Sequence, residues 1–221
     1  MLLSLFILLY ASILHAIEIP SDLGFVPLSS HSLSPSMFQD RLLSRWFEFG
    51  GSTLIRADEY IRLTTNRPGQ SGWIVSRVPI FSDAYIIDVE FSIFGDGILH
   101  GDGFAIWLTE SPGSSGPVFG SSDNFNGLGI FIDTYKNNRP GVQFPLVMAM
   151  LGDGHTSYDN DHDGAANQLA SCSVKGLISA REPSHARIVF VKDQFLSLDI
   201  KHYGSEGYFN CFTIPNVKLP P

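Results

Sequence analysis

The stretch Asp133-Thr134-Tyr135-Lys136-Asn137 sets the chemistry that this chain can attempt. Two oxygen-bearing side chains and the backbone carbonyl of the intervening Tyr135 fall at alternate positions, a spacing that lets them converge on a hard cation such as calcium. Asp102 adds a second carboxylate, and the flanking Gly101 and Gly103 let the backbone adopt a conformation closed to other residues and approach a ligand closely. An ionised carboxylate accepts hydrogen bonds from two sugar hydroxyls, and an aromatic ring such as that of Tyr135 can cover the apolar face of a pyranose. Asp and Asn are also ordinary turn formers in β proteins, so the same spacing is compatible with a plain turn.

A denser acidic run follows at Tyr158-Asp159-Asn160-Asp161-His162-Asp163-Gly164. Asp159, Asp161, Asp163 and Gly164 match the first half of an EF-hand loop, but the position that needs a bidentate Glu is Ala170 and no flanking helices are expected. The EF-hand is therefore rejected. Three carboxylates this close repel one another unless a divalent ion relieves them, so calcium still suits the run, as does an exposed acidic turn. A third pair, Asp88 and Glu90, shares one face at strand spacing, as the nucleophile and acid of some jelly-roll glycoside hydrolases do. No third acid follows in register and no aromatic substrate groove is evident, so the pair reads more readily as two solvated side chains on the wet face. There is no G-x-S-x-G, and neither cysteine stands in a reactive context.

These groups need a rigid frame, and the sequence supplies one in β form. Short β-branched and aromatic runs at residues 53–64, 72–79, 84–94, 103–109, 128–134, 145–151, 186–192, 195–203 and 208–214 are separated by Gly, Pro, Asn, Asp and Ser. Many short strands with hairpin-like turns predict an all-β antiparallel sandwich or jelly roll. From Tyr85 to Ile93 the odd positions are apolar while Asp88, Glu90 and Ser92 face the other way, so one side of that strand is wet. Residues 104–108 are apolar throughout, which predicts a central strand buried on both sides, with Asp102 held at its start. Asp133 sits correspondingly near the end of the run 128–134.

The ends of the chain and its composition narrow the setting. Residues 1–16 form an apolar run ending in a small residue and read as a secretory signal peptide. Residues 17–45 are expected to be extended coil lying over the domain, apart from a possible turn near 36–43, and residues 46–221 to form the domain itself. With 14 basic and 22 acidic residues the net charge is −8, and no Lys/Arg cluster stands out, which argues against a nucleic-acid partner. The only two cysteines, Cys172 and Cys211, belong to an oxidising compartment where a bridge is the default, two buried thiols being the alternative.

Taken together, these motifs resemble the L-type (leguminous-type) lectins of the early secretory pathway. The likeness runs from about Glu48 to the last residue. It is carried by Gly50-Gly51-Ser52-Thr53, Tyr60-Ile61-Arg62-Leu63-Thr64 and the run from His100 to Trp107. Further along it is carried by Gly116-Pro117-Val118-Phe119-Gly120-Ser121 with Asp123-Asn124-Phe125, Ile130-Phe131-Ile132-Asp133-Thr134-Tyr135, Tyr158-Asp159 with Asp163-Gly164, and Leu169-Ala170-Ser171-Cys172. The resemblance implies a concanavalin-like β-sandwich without catalytic activity, binding high-mannose N-glycans of glycoproteins with calcium in the ER–Golgi lumen, in cargo transport or quality control. It implies that Asp133, the Tyr135 carbonyl, Asn137 and Asp163 hold the ion. Ser71, Asp102, Asn137 and Asp163 would then contact mannose hydroxyls, with Tyr135 stacking on the sugar, and Cys172 and Cys211 match the family's bridge.

Two departures from the family pattern stand out. The residue after the Tyr-Asp pair is usually His and here is Asn160, which can donate and accept but carries no charge that follows pH; His162 lies two residues on. Family members also continue beyond the position of Leu219-Pro220-Pro221 with a strand, a glycine-containing sugar-binding loop, a stalk and a membrane span, so membrane association is expected only of such a longer form. Two other readings remain open at this point: a hydrolase using Asp88 and Glu90, and an interaction module that has lost sugar binding.

Overall fold

The computed structural model describes residues 25–33, 45–56, 59–97 and 99–220. The expected signal peptide and the possible turn near 36–43 lie outside the described residues. Alternating apolar side chains and turn-forming residues give fourteen named strands in chain order: β1 Phe47–Gly51, β2 Leu54–Arg56, β3 Tyr60–Arg62, β4 Gly72–Ser76, β5 Ala84–Phe91, β6 Gly103–Thr109, β7 Ser115–Gly116, β8 Gly120–Ser121, β9 Asn126–Asp133, β10 Leu146–Asp153, β11 Ala170–Ser173, β12 Ser184–Val191, β13 Phe195–Lys201 and β14 Phe209–Pro215.

Two four-stranded sheets form the body, one ordered β11-β10-β9-β6 and the other β14-β13-β12-β5, with β1-β4, β2-β3 and β7-β8 as small two-stranded additions. Every named pairing is antiparallel. The period of two decides which side chains go inward. Leu128, Ile130 and Ile132 of β9, with Val147 and Ala149 of β10, meet Ala186, Ile188 and Phe190 of β12 and Leu196, Leu198 and Ile200 of β13. Each fully buried Leu or Ile there contributes roughly 1.5–3 kcal/mol relative to exposure. The odd positions of β9 and their neighbours turn to the opposite face. There Phe131, Leu146, Met148 and Met150 gather beneath Val118, Phe125 and Tyr158 from the covering loops.

One expectation needs correction. Residues 103–109 are not a central strand: among the described residues β6 pairs only with β9 and stands at the sheet edge, while β9 is the strand buried from Gly127 to Asp133. The all-apolar run of β6 has another cause. Phe104, Ile106 and Leu108 pack into the sandwich and Ala105 and Trp107 into the second cluster, so both faces are covered although only one edge is paired. Strand β5 shows the expected alternation, with Tyr85, Ile87 and Phe91 toward the core and Asp88 and Glu90 exposed. It ends at Phe91 rather than at Phe94, and Ile93 makes an isolated parallel bridge to Ile178.

Of the expected N-terminal coil, residues 25–33 are described. They contain one 3-10 turn, Ser29–His31, and the ring of His31 bonds the backbone oxygen of Val78 at 2.9 Å, so this piece does lie against the domain. The cysteines form a bridge: Cys172 of β11 is joined to Cys211 of β14, with Cα atoms 5.4 Å apart. It staples the outer strand of one sheet to the outer strand of the other.

Candidate functional site

Asp133 is the last residue of β9 and sits in register between Gly103 of β6 and Leu146 of β10. Paired on both sides, it cannot shift without breaking two ladders, and it is only 4% exposed. The chain then leaves the sheet in a turn closed by its own carboxylate: the Tyr135 N–H donates to Asp133 Oδ1 at 3.0 Å. This turn exposes the Tyr135 ring, which is 38% accessible.

Asp102 arrives beside Asp133 because β6 begins one residue later. Its backbone oxygen accepts the Thr134 N–H at 3.0 Å, and the Gly101–Asp102 peptide is cis. The glycines on either side are there for different reasons. Gly103 has φ +125, and a Cβ on it would stand 2.0 Å from the Ile132 oxygen; a Cβ on Gly101 would stand 2.9 Å from the Tyr135 Cβ.

The second half of the site comes from residues 158–168. Asp159 caps a 3-10 turn, Asn160–His162, its Oδ1 accepting from the His162 N–H at 3.3 Å and facing the ring Nδ1 at 3.0 Å. Asp163 ends the turn in the left-handed conformation, φ 51 and ψ 45, and is 1% exposed. Its two carboxylate oxygens accept the Asn137 N–H at 3.2 and 3.1 Å, and its Oδ1 accepts Asn137 Nδ2 at 2.7 Å. The next residue continues the join, with the Asn138 N–H donating to the Asp161 oxygen at 3.2 Å.

Asp133 therefore feels the charges of both Asp163 and Asp102. Burial pushes the Asp133 carboxyl up to about 7; the Tyr135 N–H opposes this, the Asp163 and Asp102 charges add to it, and Arg139 offsets part of it. Burial likewise raises the Tyr158 hydroxyl beneath them, helped by the charges of Asp133 and Asp163. A buried carboxyl of this kind is a group that a cation would stabilise. Among the described residues no three of His, Cys, Asp and Glu gather into a metal-binding group. The set at this corner has two buried carboxylates, an amide and a peptide carbonyl, which is oxygen chemistry suited to calcium rather than to a transition metal. Asn137 now presents its nitrogen to Asp163, so ligation through Oδ1 requires its amide to turn over.

The structure thus brings together Asp102, Asp133, Tyr135, Asn137 and Asp163. Asn160 takes part through its backbone oxygen, which accepts Asn137 Nδ2 at 3.4 Å. Ser71 is not joined to this corner by any hydrogen bond among the described residues. Its oxygen accepts the Ser52 N–H at 2.8 Å, and its side chain lies against Gly120. Of Asp159, Asp161 and Asp163 only Asp163 is buried, while Asp159 caps the turn and Asp161 is exposed. No helix flanks that loop as an EF-hand would require, and Ala170 opens β11.

Asp88 and Glu90 do not form a catalytic pair. Asp88 accepts from Arg187 Nε and Nη2 at 3.1 and 3.0 Å and from the Tyr208 hydroxyl at 2.6 Å, and faces His185 Nδ1 at 3.1 Å. A carboxylate committed to these partners has no free lone pair aimed at a substrate. One participant was not singled out from sequence: Arg139 Nη1 donates to the Asp163 backbone oxygen at 2.6 Å, and its Nη2 bonds Gln168. The available signal was a cation two residues beyond Asn137 in an otherwise acidic neighbourhood.

Comparison with known proteins agrees with this fold. A family model described as the legume-like lectin family matches residues 27–221. An L-type lectin-like domain-containing protein of Schizosaccharomyces pombe is 39% identical over 204 residues, covering 90% of this chain and 65% of that protein. The VIP36-like protein of Homo sapiens is 36% identical over 183 residues, covering 80% of this chain and 51% of its own length. The chain therefore spans between about half and two thirds of the length of these relatives. Among solved structures, the metal-free VIP36 exoplasmic/lumenal domain aligns with TM-score 0.81 at 32% identity, covering 87% of this chain and 81% of that one. The Ca2+/Man-bound form of the same domain aligns with TM-score 0.80 at 32% identity, covering 87% and 79%.

Proposed function

This chain belongs to the legume-like lectin family, and on that footing we propose that it is a calcium-dependent lectin for high-mannose N-glycans. The observation that carries the reading is the clasp between Asn137 and Asp163 beside the buried Asp133. Asp133, the Tyr135 carbonyl, Asn137 with its amide turned, and Asp163 would hold the ion. When bound, calcium would supply the positive charge that two buried carboxylates lack and would fix the Asn137 and Asp163 side chains. Side chains already fixed lose little entropy when sugar arrives.

Asp102, exposed at the rim, offers both carboxylate oxygens to vicinal hydroxyls, and the accessible Tyr135 ring offers a stacking face. Asn137 and Asp163 would share the remaining hydroxyls, Asn160 would border the sugar where the family places His, and Ser71 would contact a further hydroxyl. Solved VIP36 domains described as Ca2+/Man-, Ca2+/Man2- and Ca2+/Man3GlcNAc-bound support the choice of ion and sugar. A relative named vesicular integral-membrane protein VIP36, whose solved domain is described as exoplasmic/lumenal, supports a place in the lumen of the secretory pathway, and the role proposed there is ER–Golgi cargo transport or quality control. Among the described residues no helix is long and apolar enough to cross a membrane.

Calorimetry tests the proposal: calcium titrated into metal-free protein, then mannobiose titrated with and without calcium. Heat from mannobiose only when calcium is present is the expected result. Equal sugar heats in both arms, or none in either, count against it.

A further inference from the structure

The two halves of the site are of unequal origin. Asp133 is held by the sheet, whereas Asp163 sits on a loop whose position must be secured by something else. Three consecutive residues after the β9 turn reach that loop. Asn137 bonds the Asp163 carboxylate, Asn138 the Asp161 oxygen, and Arg139 the Asp163 oxygen at 2.6 Å. Arg139 extends further than the other two. Its Nη2 bonds Gln168 Oε1, which also accepts the Ser171 hydroxyl at 2.9 Å at the start of β11, and its Nη1 lies 3.7 Å from Met148 Sδ on β10.

We propose that Arg139 is a positioning residue: its guanidinium latches the 158–168 loop to β10 and β11, so that Asp163 already faces Asn137 before an ion binds. The argument rests on geometry. A planar fork satisfies two acceptors on one rigid group, Asp163 O and Gln168 Oε1, and thereby spans both ends of the loop's second half. Asp163 needs such a hold, since a non-glycine residue in the left-handed region is strained and persists only where its surroundings over-determine it.

The sign of the effect separates this role from simple electrostatics. A fixed positive charge near a cation site repels the ion, so Coulomb's law alone predicts that removing the guanidinium tightens calcium binding. A latch predicts the reverse, because the variant must order the loop at the moment of binding. Lys at this position keeps the charge but cannot serve both acceptors at once, so it too fails as a latch.

The inference deepens the calcium-lectin reading and rests on it, and the experiment keeps the two apart. Hydrogen exchange is measured on the metal-free wild type, Arg139→Gln and Arg139→Lys, followed by calcium titration of each. The expected result is exchange at least about 10-fold faster in residues 158–168 of both variants, with β9 and β10 protected as in the wild type. Calcium affinity should fall by about 10- to 100-fold, the range for outer-shell ligand supports. Unchanged loop exchange, or a Gln variant that binds calcium as tightly as the wild type or more tightly, overturns the latch. Should both variants lose protection throughout the sandwich, Gln168→Ala, which removes one acceptor from the fork, must still accelerate the loop alone, or the latch falls. A wild type that binds no calcium sinks the lectin reading, while faster exchange in the metal-free variants still supports the latch.

Discussion

Asn137 Nδ2 lies 2.7 Å from Asp163 Oδ1, joining two residues 26 apart in sequence across the mouth of one corner of the sheet. The same carboxylate takes the Asn137 backbone N–H, so Asp163 holds both the main chain and the side chain of its partner. Replacing it by Asn leaves an amide facing an amide and removes a charge from the proposed ion shell. Asp163→Asn is expected to lower calcium affinity by at least about 10-fold and to abolish calcium-dependent mannose binding, with the far-ultraviolet circular dichroism unchanged. Calorimetry on the purified variant checks this.

Asp102 is exposed, and its backbone, not its side chain, bonds Thr134. The carboxylate is therefore dispensable for the fold. Asp102→Asn is expected to retain the wild-type melting temperature and calcium affinity while losing mannose binding, because the amide presents a donor where two sugar hydroxyls already donate. A glycan array read beside a calcium titration separates these effects, and full sugar binding by the variant would remove Asp102 from the site.

Phe131 is fully buried and packs against the rings of Trp107, Phe119, Phe125 and Tyr158. Truncation to Ala is expected to cost about 3–5 kcal/mol of stability, the usual range for a buried aromatic. Tyr158 opens the loop that carries Asp163, so the same change should also weaken calcium binding in the fraction that remains folded. Urea unfolding gives the first quantity and calcium titration at low temperature the second.

The bridge from Cys172 to Cys211 closes a separation of 39 residues between β11 and β14. Replacing both cysteines by Ser is expected to cost about 4 kcal/mol on the chain-entropy account. Hydrogen exchange should rise first at β11 and β14, which each pair with a single neighbour among the described residues. Denaturant titration of the double variant checks the magnitude.

Burial alone would raise the Asp88 carboxyl, but hydrogen bonds from Tyr208, His185 and Arg187 outweigh it and hold the group below the usual carboxylate range. An acid whose folded pKa is depressed stabilises the fold above its unfolded pKa of about 4, and that contribution is lost as pH falls through the folded value. Asp88→Asn should thus be less stable than the wild type near about pH 6, and the gap should narrow as pH drops below about 4. Parallel urea titrations across this range test the sign, and a gap that widens in acid refutes it.

Much of this was legible from residue order. Apolar alternation in Tyr85-Ile86-Ile87-Asp88-Val89 gave the inward face of β5, and the run 103–109 gave β6 with its observed bounds. Asp102, Asp133, Tyr135 and Asn137 could be singled out as candidates because strand ends and turn spacing are local properties. The edge position of β6 was not legible, because an all-apolar strand looks the same whether its two faces are covered within a sheet or by loops. The role of Arg139 was hidden for a related reason. Its partners, Asp163 and Gln168, are 24 and 29 residues away, and nothing in the local pattern of Asn137-Asn138-Arg139-Pro140 announces them. Strand β11, Ala-Ser-Cys-Ser, is short and rich in small residues and carries too little periodicity to stand out, and β1 offers only Phe47-Glu48-Phe49 before two glycines.

The in-register seating of Asp133 between Gly103 and Leu146 means that the corner has one fixed jaw and one adjustable jaw. Sequence change at the end of β9 is penalised by the sheet, while the 158–168 loop can vary as long as Asp163 keeps its grip on Asn137. On the proposed lectin reading, a designer seeking a new sugar would leave the strand alone and redraw the exposed loop positions Asn160 and His162.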